Sequence, residues 1–519
     1  MTAETLSKPG DEPAALGAFL ARADDRLNPI LVKEVRQALR GRYFRNLFWL
    51  TVVLATALGV FMIVIANVDG DLDQLGPNFF SATFGVLSFA VHTFVPFWAF
   101  QSMGAEWEEN TFDLLVISDL RPKQLVIGKV LAATVQALLY YSAFSPFLVS
   151  TFLMGGVDIL AIGLSIGLSI LVSTTLSFLA VALSTLGRTK IVRAALAMLL
   201  ACALLPVSAG AIGFATMLVQ APNVLRDTDF QYGVAMFVSV LPIVALFAFA
   251  IGCARLAHEE ENRSSALRVL ASAITLVTLA WGAVGYTTFF RGQEHFVIAM
   301  VGFGCALAMV AYVFFVTEPE AFGRRVARQV PSSRTLALCS LPWLPGGARG
   351  LALLIGNALL TLLVVTPLAL LEGDDSLVTF TLALYLYALV IVGLPSGIAS
   401  HFVRTLRGRT AVRVAIPLLL GLAIFLPSIA GMLLDVHSWM ELEHPLDPFW
   451  VLACVVEDDW SQAVPGLALL AVGVLLTAVV NAKRVGNAVA EVLRCSAERR
   501  ARAKANPAPA RNPDAAPQP

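Results

Sequence analysis

The chain has 519 residues, 58% apolar and 14% charged, against roughly 45–50% and 25% for a soluble domain. Mean hydropathy is +0.78, and Lys plus Arg balance Asp plus Glu at 36 each, so net charge points to no partner. These values exclude a soluble enzyme, a disordered scaffold and a nucleic-acid-binding module.

In chain order, residues 1–27 are polar and acidic and predict a disordered segment with no cleavable signal peptide. Residues 28–46 predict a basic amphipathic helix. Asn28 suits its N-cap and Pro29 its first helical position. Leu31, Val35, Ala38 and Leu39 share one face; Lys33, Arg36 and Arg40 populate the other, and Glu34 lies in the same segment. Such a helix rests in the membrane interface. It serves either as an anchor that orients the first span or as a lever that couples a partner's motion to it.

Apolar blocks long enough to cross a bilayer as helices then follow. They lie near 47–67, 81–100, 130–153, 159–183, 194–219, 233–253, 270–290, 296–316, 351–371, 377–400, 414–434 and 464–482. The fold class expected is an all-α polytopic membrane protein with about 12 transmembrane helices. The loops set its orientation, because cytoplasmic loops collect Lys and Arg. With both termini inside, only Arg226 and Arg291 fall outside, while the outer loops hold acids such as Asp69, Asp71, Asp73, Glu372, Asp374 and Asp375.

After the second block comes Glu106-Trp107-Glu108-Glu109-Asn110-Thr111-Phe112-Asp113-Leu114-Leu115. Acids on the basic side run against the local trend, and Phe112, Leu115 and Val116 make a short apolar stripe. The segment is either a solvated loop or a helix that docks in a partner's groove.

A shift of 221 residues aligns the chain with itself in places. Gln136-Ala137-Leu138-Leu139 meets Asn357-Ala358-Leu359-Leu360, Gly187-Arg188-Thr189 meets Gly408-Arg409-Thr410, and Pro146 and Pro206 meet Pro367 and Pro427. The chain therefore reads as a 6+6 parallel tandem repeat, 47–258 and 259–484, whose halves are related by an axis along the membrane normal. Residues 485–519 form a basic, Pro/Ala-rich tail. Pro96, Pro146, Pro206, Pro367 and Pro427 are expected to kink or break spans.

No Asp, Glu, Lys or Arg lies well inside any block, where a charge costs at least about 2.5–3.5 kcal/mol. His92 is the titratable side chain inside the bilayer besides Tyr and Cys. It is either a hydrogen-bonded packing residue or part of a pathway. Gln136 and Asn357 either line a polar path or join helices through amide hydrogen bonds. Cys202, Cys253, Cys305, Cys339, Cys454 and Cys495 contain no CxxC pair and read as small core residues. No HExxH zinc site, phosphate loop or nucleophile elbow is present. No cofactor is expected in this chain.

Glu-x-Glu-x-x-Thr-x-Asp-Leu-Leu in 106–115, followed by the Leu120–Pro122 turn and Gly128-Lys129, resembles permease subunits of ABC transporters of the type-2 exporter class. So does Asn-Pro-Ile-Leu-Val-Lys-Glu-Val-Arg-Gln in 28–37. The match is strongest over 28–150. Asn110 stands where the family often has Gly, and the loop after the eighth block does not repeat the motif.

The resemblance implies two fused six-span half-permeases in a bacterial inner membrane. It makes Glu106–Leu115 the coupling helix onto a separate cytoplasmic ATPase, present in two copies and binding the ATP and Mg. It also implies short re-entrant helices within 204–232 and 426–465. The chain would then be no enzyme itself. The competing readings are an integral-membrane scaffold, an ion-coupled secondary transporter, and a membrane enzyme using outer carboxylates such as Asp458 and Asp459.

Overall fold

The computed structural model describes residues 29–69, 74–108, 122–187, 189–257, 261–289, 294–372, 376–402, 406–434 and 443–505. Among them every regular element is a helix, and twelve helices are long and apolar enough to cross a membrane. The chain is an all-α polytopic membrane protein. It divides into two compact units, Met1–Leu256 and Ala257–Pro519, each with six of those helices.

The first unit opens with α1 (Pro29–Arg40), separated by Gly41 from α2 (Arg42–Asp69). α3 (Leu75–Phe89), a π turn (Ala90–Phe94) and α4 (Val95–Glu108) form the second span. α5 (Pro122–Leu153) follows. Gly155 and Gly156, at φ 87° and 77°, make the tight turn into α6 (Ile159–Ser184). A side chain would resist that backbone. Asp158 caps α6 by accepting from the Leu160 amide at 3.0 Å. Thr189 caps α7 (Lys190–Gln220) through the Val192 amide at 3.3 Å. A 3₁₀ turn (Pro222–Arg226) then leads to α8 (Thr228–Leu256).

Burial sorts these spans. In the most apolar window of the second span 67% of residues are buried, against 17% in the first and 11% in the sixth. The second and third spans hold the core, with Phe80, Phe84, Leu87, Val126, Tyr140 and Phe144 among its buried side chains. The outer spans expose residues such as Trp49, Leu50 and Phe61, as suits a lipid surround.

In the second unit, α9 (Ser265–Val284) ends in a π turn (Gly285–Phe289) before α10 (Glu294–Val316). Two short helices, α11 (Arg324–Ala327) and α12 (Arg334–Cys339), and a 3₁₀ turn (Leu341–Trp343) fill the loop before α13 (Gly347–Glu372). α14 (Ser376–Phe402), α15 (Leu406–Leu434), α16 (Pro448–Val456) and α17 (Trp460–Ala505) complete the unit.

Several expectations change here. Residues 485–505, read as tail, continue α17. Val489, Val492 and Cys495 pack against Phe322, Val330, Ala337 and Leu341. An amphipathic extension carries no unbroken apolar run, so a search for apolar blocks passes over it. A nine-residue apolar helix, α16, does lie within 426–465. In 204–232, by contrast, α7 runs unbroken to Gln220 and only a 3₁₀ turn follows. The helices also run through Pro146, Pro206, Pro367 and Pro427. None of those four breaks its span, and Pro96 follows a π turn. Cys202 and Cys339 are exposed, so the cysteines are not uniformly core.

Candidate functional site

In both units the Lys- and Arg-bearing ends of the spans carry buried ion pairs; "basic end" denotes that end of each unit.

In the first unit, α5 starts at Pro122, eight residues before the apolar block. Lys129 therefore sits two turns inside a helix, with its side chain fully buried. An ammonium has three N–H donors, and Lys129 has three acceptors: Glu34 Oε1 at 2.8 Å, Glu106 Oε1 at 3.0 Å and the Ser102 carbonyl at 3.1 Å. Lys33 stands 3.7 Å from Glu106 but is half exposed, so it contributes charge balance more than stability. The cluster ties α1 to the end of the second span and the start of the third. Arg193, four residues after the Thr189 cap, donates to the Gly104 carbonyl at 2.8 Å and draws in the fifth span. A Cβ at Gly104 would press on the Arg193 chain at 3.1 Å.

This cluster rotates α1 from its expected heading. Its inward stripe is Ile30, Glu34 and Ala38, because Lys129 draws Glu34 inward while Ile30 meets Met103 and Leu125. Leu31 and Val35 are half-buried, and Leu39, expected on the buried face, is 44% exposed. Arg36 and Arg40 face outward.

The second unit uses three arginines. Arg268, fully buried, donates to Glu318 at 2.8 Å and to the carbonyls of Leu344, Pro342 and Gly346 at 2.5, 3.2 and 2.9 Å. Gly346 has φ 129°, a conformation open to glycine, and this turn aims its carbonyl at Arg268. Arg349, also fully buried, donates to Glu491 at 2.8 Å and stacks over the Phe322 ring, 3.8 Å from its centroid. Arg484 pairs with Glu320 and reaches the Val316 carbonyl at 2.6 Å. A cleft of about 200 Å³ opens among Thr317, Glu318, Glu320, Ser396, Ser400 and Arg484. Arg413, at the start of the fifth span of this unit, donates to Thr317 Oγ1 at 2.8 Å, much as Arg193 reaches Gly104.

Each unit also seals a hydrogen-bonded relay among its core spans. In the first, Pro96 has no N–H to donate to the preceding turn. The chain adopts a π turn there, and Ser173 donates to the Val91 carbonyl at 3.0 Å. His92 lies on that turn. Its Nε2 faces the Ser169 carbonyl at 3.1 Å and therefore donates, leaving Nδ1 to accept from Ser88 at 2.8 Å. Tyr141 donates to Ser169. In the second, Asn357 donates to Tyr312 at 2.6 Å, and Thr361 bonds Tyr385 at 2.9 Å. Asn357 thus joins α13 to α10, and Thr361 joins α13 to α14. Gln136 is buried on α5.

The predicted site residues therefore separate. Glu34 and Glu106 meet at Lys129; His92 joins the interior relay of the first unit and Asn357 that of the second. Trp107 and Glu108 end α4. Glu109, Thr111, Phe112, Asp113, Leu114 and Leu115 lie outside the described residues. The absence of charge from the apolar blocks holds only for those blocks, because the helices extend beyond them. Sequence reading missed Lys129, Arg268 and Arg349 as site residues. The signal was there: each precedes an apolar block by one or two residues.

Comparison with known protein families, characterised proteins and solved structures finds no match to this chain.

Proposed function

We propose that the chain is the membrane permease of an ATP-driven ABC transporter of the type-2 exporter class, working with two copies of a separate cytoplasmic ATPase. One observation carries this reading: the buried Lys129 cluster joins α1 to the two spans that bracket the loop with the Glu-x-Glu-x-x-Thr-x-Asp-Leu-Leu sequence. A push on either motif-bearing segment arrives at the same three side chains. The six-span units and the recurring Gly-Arg-Thr before the fifth span of each support a duplicated half-permease. In this reading the basic ends are cytoplasmic, both termini lie inside, and the membrane is a bacterial inner membrane.

The test is to purify the tagged chain from its native host in mild detergent and assay ATP hydrolysis beside a Phe112→Ala/Leu115→Ala variant. Glu106 is left intact, because its loss would disturb the buried cluster whatever the partner. An ATPase that copurifies with the wild type and is lost from the folded variant supports both the class and the contact. Absence of any nucleotide-hydrolysing subunit overturns it. His92 is sealed with both ring nitrogens hydrogen-bonded, which suits a packing residue better than an ion-coupling group.

A further inference from the structure

The loop between α10 and α13 folds as a platform against the basic end of α9. Arg325 pairs with Glu261 at 3.5 Å, and Asn262 donates to Gln329 at 2.7 Å. Both contacts lie just before α9 begins. Further along that helix, Trp343 Nε1 donates to Ser272 at 3.2 Å. Ser272 is seven residues past Ser265, so the platform covers about 10 Å of the helix axis. A leaflet passes from headgroups to hydrocarbon over roughly 5–7 Å, so the platform is deep enough to cross that layer. Arg268 holds the 342–346 turn by three carbonyls, so the depth of Trp343 is fixed.

The outer surface of the platform has two characters. Trp343 is 39% and Leu336 61% exposed, although both adjoin a packed cluster that had room for Ala337 and Leu341. Arg324, Arg328 and Arg334, in the same loop, are exposed, and among the described residues they meet no carboxylate. Among the described residues the nearby acids are engaged: Glu318 by Arg268, Glu320 by Arg484, Glu491 by Arg349, Glu261 by Arg325 and Glu498 by Arg494. Arg499 and Arg500, on the adjoining stretch of α17, donate to the backbone carbonyls of Val330 and Ser332 and so leave the local charge positive.

We propose that this platform is a binding site for anionic phospholipid. Trp343 and Leu336 enter the interfacial layer, as Trp does at membrane boundaries. Arg324, Arg328 and Arg334 take the phosphates of acidic headgroups. A basic surface with apolar side chains at interface depth recognises that combination in one ligand. The inference requires only that α9 crosses the bilayer, and it stands apart from the transport reading.

The test uses the full chain in nanodiscs of zwitterionic lipid doped with brominated phosphatidylglycerol or brominated phosphatidylcholine. Trp343 quenching is read as the difference between the wild type and Trp343→Phe. The expected result is quenching by both lipids with a preference for phosphatidylglycerol of about fivefold or more. That preference should be abolished in an Arg324→Gln/Arg328→Gln/Arg334→Gln variant that still melts like the wild type. Quenching by neither lipid overturns the membrane contact and means that protein covers the surface. Equal quenching by both lipids overturns the anionic site. A preference that survives in the triple variant overturns the arginine assignment. Should the triple variant fail to fold, Arg324→Gln and Arg334→Gln singly are expected each to lower the preference.

Discussion

The basic ends of the two units answer one physical problem in different ways. Each must hold charge at the edge of an apolar bundle, where an unpaired ion is costly. The first unit places one ammonium between two carboxylates and a carbonyl, and the product is a joint between helices. The second places three guanidinium groups, each against its own carboxylate, and uses further N–H donors to gather backbone carbonyls. A compact ammonium suits a point junction, whereas a planar fork with five donors can organise irregular backbone. The difference explains why α1 is held to its unit largely by one cluster, while the 317–346 loop is folded throughout.

The comparison breaks most severely at Arg268. Arg268→Lys keeps the charge but cannot reach the same carbonyls, and the expected loss is about 5 kcal/mol, read as a lowered Tm or failure to purify as a monodisperse protein. An unchanged melting temperature would show that the fork is dispensable. Lys129→Met should cost about 3–4 kcal/mol by leaving Glu34 and Glu106 facing each other. Adding Glu34→Gln and Glu106→Gln should restore most of it, since an uncharged buried set is tolerated where a broken pair is not. Failure of the triple variant to recover would mean that the ions do more than cancel. Gly347→Ala drives a methyl group into Arg484 and the Val316 carbonyl and should cost about 1–3 kcal/mol in the same melt. Asn357→Leu removes the bond to Tyr312 and should cost about 1 kcal/mol.

The smallest effect lies at the start of α17. The Ser461 hydroxyl, donating at 2.7 Å, holds the Asp459 carboxyl below its usual range. A depressed carboxyl supports this helix start above the ordinary carboxylate pKa and withdraws that support as pH falls through its own lower value. Protection of the 460–463 amides, taken relative to the intrinsic exchange rate at each pH, should therefore fall from pH 6 to pH 3. Asp459→Asn should remove that dependence.

The spans were legible because an apolar run of about 20 residues is a property of composition. Their true lengths were not, because the first two turns of α5 and the last six of α17 mix apolar with charged residues and so interrupt the apolar run. The charge clusters were half legible. Lys129, Arg268 and Arg349 stood conspicuously before apolar blocks. Their partners did not, since Glu34 is 95 residues from Lys129 and Glu491 is 142 from Arg349, and only the fold joins them. Pro96 was legible as a disturbance, but the π turn that answers it depends on Ser173 from another helix. α16 could have been found: Asp447-Pro448 before an apolar stretch is a cap followed by a first-turn proline.

The π turn at 90–94 also sets an angle. One extra residue in a helix advances everything beyond it by about 100°. The second span runs without further interruption from that turn to Glu106. Glu106 therefore faces Lys129 only because the insertion is present. Were residues 90–94 wound as an ordinary α-helix, the carboxylate would swing by more than a quarter turn and leave its ammonium behind. The compass heading of the charge at the membrane's edge is thus written some twelve residues earlier, beside a histidine in the apolar interior.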